Sequence, residues 1–257
     1  MTTSTSTSTS TSTSTSTSTS MSIAARLVEL HRNATTAERA NLKLILGLSA
    51  GNLVPSSDSL AAESRRAVSE TLELLCPYDV PDPRGLQYRG RPDFLTDDLF
   101  DRLLQESISK REIAIPFDEH YLGAGGLVAD DVALSAELAA LVESVVPGAE
   151  STGIASYLFY KDEGQGIDPH IDTDIFSLNI LMMLQHRLPG TEVEPSALYM
   201  HYPDGSEERL QLQPGEVVIF LAGTQAHSRT RIGADESVSI LTFGFMPKGA
   251  PIENYRR

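Results

Sequence analysis

The sequence predicts an α+β protein, with helices in its first part and a jelly roll or barrel of short strands after them. Three observations carry this expectation. Apolar residues recur at helical spacing in several stretches before Pro147, while short apolar runs replace them from Gly153 onward. Turn signals separate those runs at Pro189-Gly190, Pro203-Asp204-Gly205, Pro214-Gly215 and Gly233-Ala234-Asp235. Many short strands with regular turns suit a barrel or jelly roll, and helices gathered ahead of them suit packing against one sheet.

Taken in order, Thr2 to Ser20 alternates Ser and Thr. The alternation has the period of a strand but no apolar face to bury, so residues 1–20 are expected to be disordered. Residues 21–90 read as a helical region. Ser22 to Leu48 has helical spacing with a break near Asn33–Thr36, and Ser59 to Leu75 is a further helix ended by Pro77, Pro81 and Pro83. In residues 91–257, a helix from Phe94 to Ser107 has Thr96 as N-cap, with Asp97 and Asp98 at its positive end. Ile113–Phe117 is a strand candidate, Tyr121–Gly126 a glycine-rich loop, and Ser135–Val145 a helix. The later strand candidates are Ile154–Tyr160, Ser177–Met183, Ala197–Tyr202, Glu207–Leu212, Val217–Leu221, His227–Ile232 and Ser237–Phe245.

Composition narrows the function. A formal net charge of −15 repels phosphate backbones, so no nucleic-acid partner is expected. The single cysteine, Cys76, forms no intrachain disulfide. No apolar run reaches the length of a membrane span, and no secretory signal pattern opens the chain. The expectation is a cytoplasmic protein acting on a small molecule, with no membrane partner; its oligomeric state is not written in the sequence.

The informative stretch is Asp168-Pro169-His170-Ile171-Asp172-Thr173-Asp174. In extended chain, residues two apart project to one face, so His170 and Asp172 are expected to point the same way. His227, in Gly223-Thr224-Gln225-Ala226-His227-Ser228-Arg229, is the expected distant partner. Two imidazoles and one carboxylate form the facial triad that holds non-haem Fe(II) and leaves positions open. His-x-Asp alone is a weak signal, and its context strengthens it. Each ligand segment follows an apolar strand and a loop, and enough strands lie between Asp172 and His227 to wrap a barrel. His201 is a rival ligand, while His31, His120 and His186 read as surface or packing residues.

Beyond these residues, Tyr160 and Gly164-Gln165-Gly166-Ile167-Asp168-Pro169-His170-Ile171-Asp172 resemble the first iron-ligand segment of the Fe(II)/2-oxoglutarate-dependent oxygenases, in their prolyl-hydroxylase-like branch. Gln213-Pro214-Gly215-Glu216-Val217-Val218-Ile219-Phe220 resembles that family's turn and strand before the distal His, and Ser237-Val238-Ser239-Ile240 its last core strand. The resemblance covers about residues 90–247. It implies a double-stranded β-helix, a jelly-roll, cupin-like barrel with N-terminal helices packed on it, whose mouth holds iron. The implied cofactors are Fe(II), 2-oxoglutarate as co-substrate and O2. The implied reaction is oxidation of a C–H bond with 2-oxoglutarate decarboxylated to succinate. Related halogenases have a small residue where this chain has Asp172, so hydroxylation, desaturation or ring formation is implied instead. A cupin-like metal enzyme that uses no 2-oxoglutarate and a non-catalytic binding barrel are the competing readings.

One position departs from the pattern. The family commonly carries Arg or Lys ten residues past the distal His, to pair with the far carboxylate of 2-oxoglutarate, and here that residue is Ser237. A buried dianion needs a cation. Arg229 and Arg231 share a face with His227 if the stretch is extended, and a guanidinium fork suits carboxylate. Arg231 is favoured because it lies farther along the chain from the iron ligand, with Arg229 second; for each, the competing reading is a solvated surface charge. Ser239 stands where the family often has a hydroxyl donor to the same carboxylate, and Tyr160 and Asn179 are helpers on neighbouring strands. Asp118, Glu119, Asp162 and Glu163 suit either a cationic substrate or a solvated rim.

Overall fold

The computed structural model describes residues 22–35, 38–39, 42, 59–172, 174–188, 194–202 and 204–250. The expected disorder of residues 1–20, most of the second helix expected before Leu48, and the Pro189-Gly190 turn lie outside them. Two N-terminal helices, α1 (Ile23–Asn33) and α2 (Ser59–Leu74), precede strand β1 (Leu86–Gly90). Next come α3 (Asp97–Glu112), β2 (Ile115–Phe117), β3 (His120–Ala124), α4 (Leu127–Ala133) and α5 (Ala136–Val145). The remaining strands are β4 (Ala149–Tyr160), β5 (Ile167–His170), β6 (Leu178–Arg187), β7 (Leu198–His201), β8 (Glu207–Leu210), β9 (Val217–Phe220), β10 (His227–Arg229) and β11 (Ser237–Pro247).

Two antiparallel sheets result. The larger runs β1-β9-β6-β11-β4-β3-β2 and the smaller β5-β10-β7-β8. Strands β4, β6, β9 and β11 of the larger sheet face β5, β7, β8 and β10 of the smaller. This is the eight-stranded jelly roll of a double-stranded β-helix. Strands β1, β2 and β3 extend the larger sheet at its edges.

Alternation along each strand separates two cores. On β6, Leu178, Ile180, Met182 and Leu184 face the helices, while Leu181 and Met183 face the barrel interior. On β11, Leu241 and Phe243 face the helices and Val238 and Ile240 face in. The helix-side core takes Leu103 of α3, Ala129 and Val132 of α4, and Leu138 and Val142 of α5. Each fully buried Leu or Phe there contributes about 2 kcal/mol through removal from water. Thr96 caps α3 as expected, its hydroxyl accepting from the Leu99 amide at 3.2 Å, with Asp97 and Asp98 in the first turn. Ser135 caps α5 in the same way.

The structure revises several local expectations. The helices that cover the larger sheet come from residues 97–145, whereas α2 reaches the barrel by another route, packing Val68 against Ala226. The expected Tyr121–Gly126 loop is largely strand β3, paired with β4 through Tyr121↔Phe159 and Leu122↔Leu158. Gly123 is needed because that pairing is tight: a Cβ there would lie 3.1 Å from the Phe159 ring. Strand β5 ends at His170, so Asp172 lies just past the strand rather than on it.

Candidate metal centre

His170 and His227 face each other as register partners across the β5–β10 pair. Their ring centroids are 4.3 Å apart. Asp172 joins them from the segment after β5, its amide donating to the Ala222 carbonyl at 2.8 Å. Its Oδ1 lies 3.4 Å from His170 Nε2 and 3.6 Å from His227 Nε2. One ligand atom from each residue falls within 4.8 Å of the others.

The ring orientations are fixed by the backbone. His170 Nδ1 lies 2.8 Å from the Asp168 carbonyl, and His227 Nδ1 3.1 Å from the Gln225 carbonyl. A carbonyl only accepts, so each Nδ1 carries a proton and each Nε2 points inward, toward Asp172 Oδ1. Asn179, on β6, donates from Nδ2 to Asp172 Oδ2 at 2.7 Å, leaving Oδ1 toward the imidazoles. Contacts of this kind orient the ligands in metal sites.

The electrostatics suit a cation. Burial pushes the Asp172 carboxyl up, but His227, His170 and Asn179 outweigh it and hold it below its ordinary value. Burial, then the neighbouring His170, pulls His227 down to about 4, so its ring is neutral at pH 7. His170 is raised: burial acts downward, and the Asp172 contact overcomes it. A divalent metal bound at this point would satisfy the carboxylate and both imidazoles together.

The other expected site residues divide. Arg229 lies inside the barrel, 5% exposed, on the face of β10 that carries His227. Its guanidinium carbon is 5.3 Å from the centre of the Tyr160 ring, and Tyr160 is itself buried in the interior. Arg231 lies beyond the end of β10 and is engaged at the rim, donating to Glu119 and, at 2.8 Å, to Asp168. Ser239 pairs in register with Phe159, whose ring belongs to the helix-side core, so Ser239 faces away from the metal centre. Gly166 lets the β4–β5 loop lie against β10, since a Cβ there would be 2.8 Å from the Arg229 carbonyl.

His201 is no rival ligand in this arrangement. Its Nδ1 meets Glu207 at 3.0 Å and its Nε2 meets Ser228 at 2.8 Å. His120, expected on the surface or in packing, is buried and stacks on Tyr160 with centroids 5.5 Å apart. Among the described residues, the buried side-chain polar atoms without a partner are His120 Nδ1, Asn179 Oδ1 and Arg229 Nε. All three belong to residues grouped around the triad or Tyr160. Buried polar atoms are rarely left unpaired, so these three have hydrogen-bonding capacity free for a further polar group.

No family profile matches the chain, and no curated protein matches it in sequence. Among solved structures similar to it, a prolyl-4-hydroxylase from Pseudomonas putida is 18% identical, covering 70% of this chain and 99% of its own, with a TM-score of 0.49. The non-haem α-ketoglutarate-dependent epimerase SnoN from nogalamycin biosynthesis is 17% identical, over 74% of this chain and 84% of its own, at 0.49. HygX from Streptomyces hygroscopicus, solved with nickel, 2-oxoglutarate and hygromycin B, is 13% identical, over 62% and 82%, at 0.46. These values are low, and the chemistry proposed below rests on the chain's own side chains.

Proposed function

We propose that the protein is an Fe(II)- and 2-oxoglutarate-dependent oxygenase that oxidises a C–H bond of a small molecule, an amino acid or specialised metabolite, by hydroxylation, desaturation or ring formation. The observation that carries this reading is the convergence of His170 Nε2, Asp172 Oδ1 and His227 Nε2 inside a jelly roll. Two imidazoles and one carboxylate on one side of a metal are the donor set for Fe(II) with open positions. When bound, the iron with 2-oxoglutarate and O2 supplies the oxidising power.

The chain's own residues supply the rest. Asp168 and Gln225 carbonyls hold the two imidazoles in the ligating tautomer. Asn179 holds the carboxylate. Arg229, buried and without an ion-pair partner within 4 Å among the described residues, fits the far carboxylate of 2-oxoglutarate. Arg231, already paired with Glu119 and Asp168 at the rim, is the weaker choice for that role. The Tyr160 ring lies beside the Arg229 guanidinium, and both are buried.

The test is anaerobic addition of Fe(II) and 2-oxoglutarate. A weak visible charge-transfer band is expected in the wild type and should vanish in His170→Ala. Absence of the band in the wild type, or its persistence in the variant, would overturn the assignment. Succinate release coupled to O2 uptake across a panel of amino acids then identifies the substrate, and metal binding with no succinate under any condition would favour a cupin-like enzyme.

A further inference from the structure

Arg229 is held by an unusual partner. Its Nη2 donates to Ser196 Oγ at 2.9 Å and approaches the Ser196 carbonyl at 3.5 Å, while Nε has no partner. The Ser196 hydroxyl lies 2.6 Å from Glu236 Oε1, an acceptor, so its proton is committed there and a lone pair faces Arg229. Glu236 Oε1 also accepts from the Ser196 amide at 2.8 Å and from His186 Nε2 at 2.6 Å, and its Oε2 accepts from the Gly233 amide at 2.9 Å. His186 is fixed in turn, its Nδ1 accepting from Gln211 at 2.9 Å.

With both oxygens so occupied, Glu236 is held off Arg229. The buried anion is near enough to favour a buried guanidinium, yet one hydroxyl separates them. A direct Arg–Glu pair would fill the donor fork that a ligand carboxylate needs.

We propose that Ser196 and Glu236 are positioning residues that hold Arg229 with its Nε side open to the far carboxylate of 2-oxoglutarate. This rests on the preceding functional reading and adds to it how selectivity for a dicarboxylate is set. Neither residue touches the co-substrate; both act through Arg229.

The experiment compares two 2-oxoacids by calorimetric titration of the Mn(II)-loaded protein. 2-Oxoglutarate carries the far carboxylate, and 2-oxobutyrate offers the same chelating end without it. The wild type should prefer 2-oxoglutarate, and Arg229→Met should abolish that preference; a wild type with no preference sinks the functional reading itself. Given that preference, Ser196→Ala should weaken 2-oxoglutarate by about tenfold, the scale of one lost hydrogen bond to a charged group, with 2-oxobutyrate affinity nearly unchanged. Ser196→Thr, which keeps the hydroxyl, should restore most of the preference, and Glu236→Gln should reduce it. Equal weakening of both ligands in Ser196→Ala would show a merely structural role, and no weakening would show that Arg229 needs no such support; either overturns the proposal. Because Glu236→Gln also disturbs a buried network, the serine pair of variants decides the outcome if that protein does not fold.

Discussion

Replacement of Asn179 by alanine isolates the contribution of outer-shell geometry to metal affinity. Asn179 is 7% exposed and gives Asp172 Oδ2 a 2.7 Å hydrogen bond. Its own Oδ1 has no partner, so truncation removes this one hydrogen bond of the side chain and orphans only Asp172 Oδ2. A hydrogen bond to a charged acceptor contributes about 1.5–3 kcal/mol. If the bond matters chiefly when Oδ1 is ligated, that energy appears as about a 10–100-fold loss of metal affinity, the range found for outer contacts of metal ligands. If it matters equally without metal, the loss appears in stability instead. Competition calorimetry with Mn(II) measures the first and thermal unfolding of the metal-free protein the second. We expect at least a tenfold weaker Mn(II) dissociation constant in Asn179→Ala. A value within twofold of wild type would refute the role assigned to Asn179, whatever happened to the melting temperature.

Other outcomes follow from the same geometry. Arg231→Met breaks exposed pairs, which contribute about 0–1 kcal/mol, so the 2-oxoglutarate dissociation constant should change by less than about fivefold; a larger loss would return the anchoring role to Arg231. His120 is pulled from 6.5 to about 4, mainly by burial. The unfolded chain therefore binds more protons than the native one between those values, and stability should fall as pH drops from 6.5 toward 4, by about 3 kcal/mol for this group. Urea unfolding across that window should show a shallower fall in His120→Phe, and an unchanged slope would disprove the burial of a neutral ring. In Gly244→Ala the new Cβ would meet the Ile175 carbonyl at 2.5 Å and Thr152 Oγ1 at 2.8 Å. Backbone must shift, at a cost of about 1–3 kcal/mol, and an unaltered melting temperature would contradict that packing.

Much of the barrel was legible because its signal is local. Short apolar runs at Leu178–Leu184 and Val217–Phe220 mark strands buried on both faces, and Thr96 marks the start of α3 through side-chain chemistry three residues long. His-x-Asp and the distal His were legible for the same reason, as short patterns beside apolar runs. Strand β3 was not, since Gly123, Gly125 and Gly126 read as loop, while the structure uses Gly123 to bring β3 against Phe159. The difference in burial between Arg229 and Arg231 also escaped the sequence. Both have the parity of His227, and what separates them is that β10 stops at Arg229. The link from Ser196 to Glu236 spans forty residues and leaves no periodic trace.

The displaced cation and the buried Glu236 are two sides of one arrangement. The resemblance places a cation at position 237, yet β11 sends Val238 and Ile240 into the barrel, so Ser237 and Ser239 project to the opposite side. In this register a cation at 237 would miss the interior. Arg229 does reach it, from the facing sheet, but at 5% exposure it is a deeply buried charge that must be tolerable before any anion arrives. Glu236, with the parity of Val238 and next to the position the cation left, supplies that counter-charge through Ser196. A guanidinium so supported remains charged and keeps its Nε unpaired, which is the state a dicarboxylate co-substrate would require.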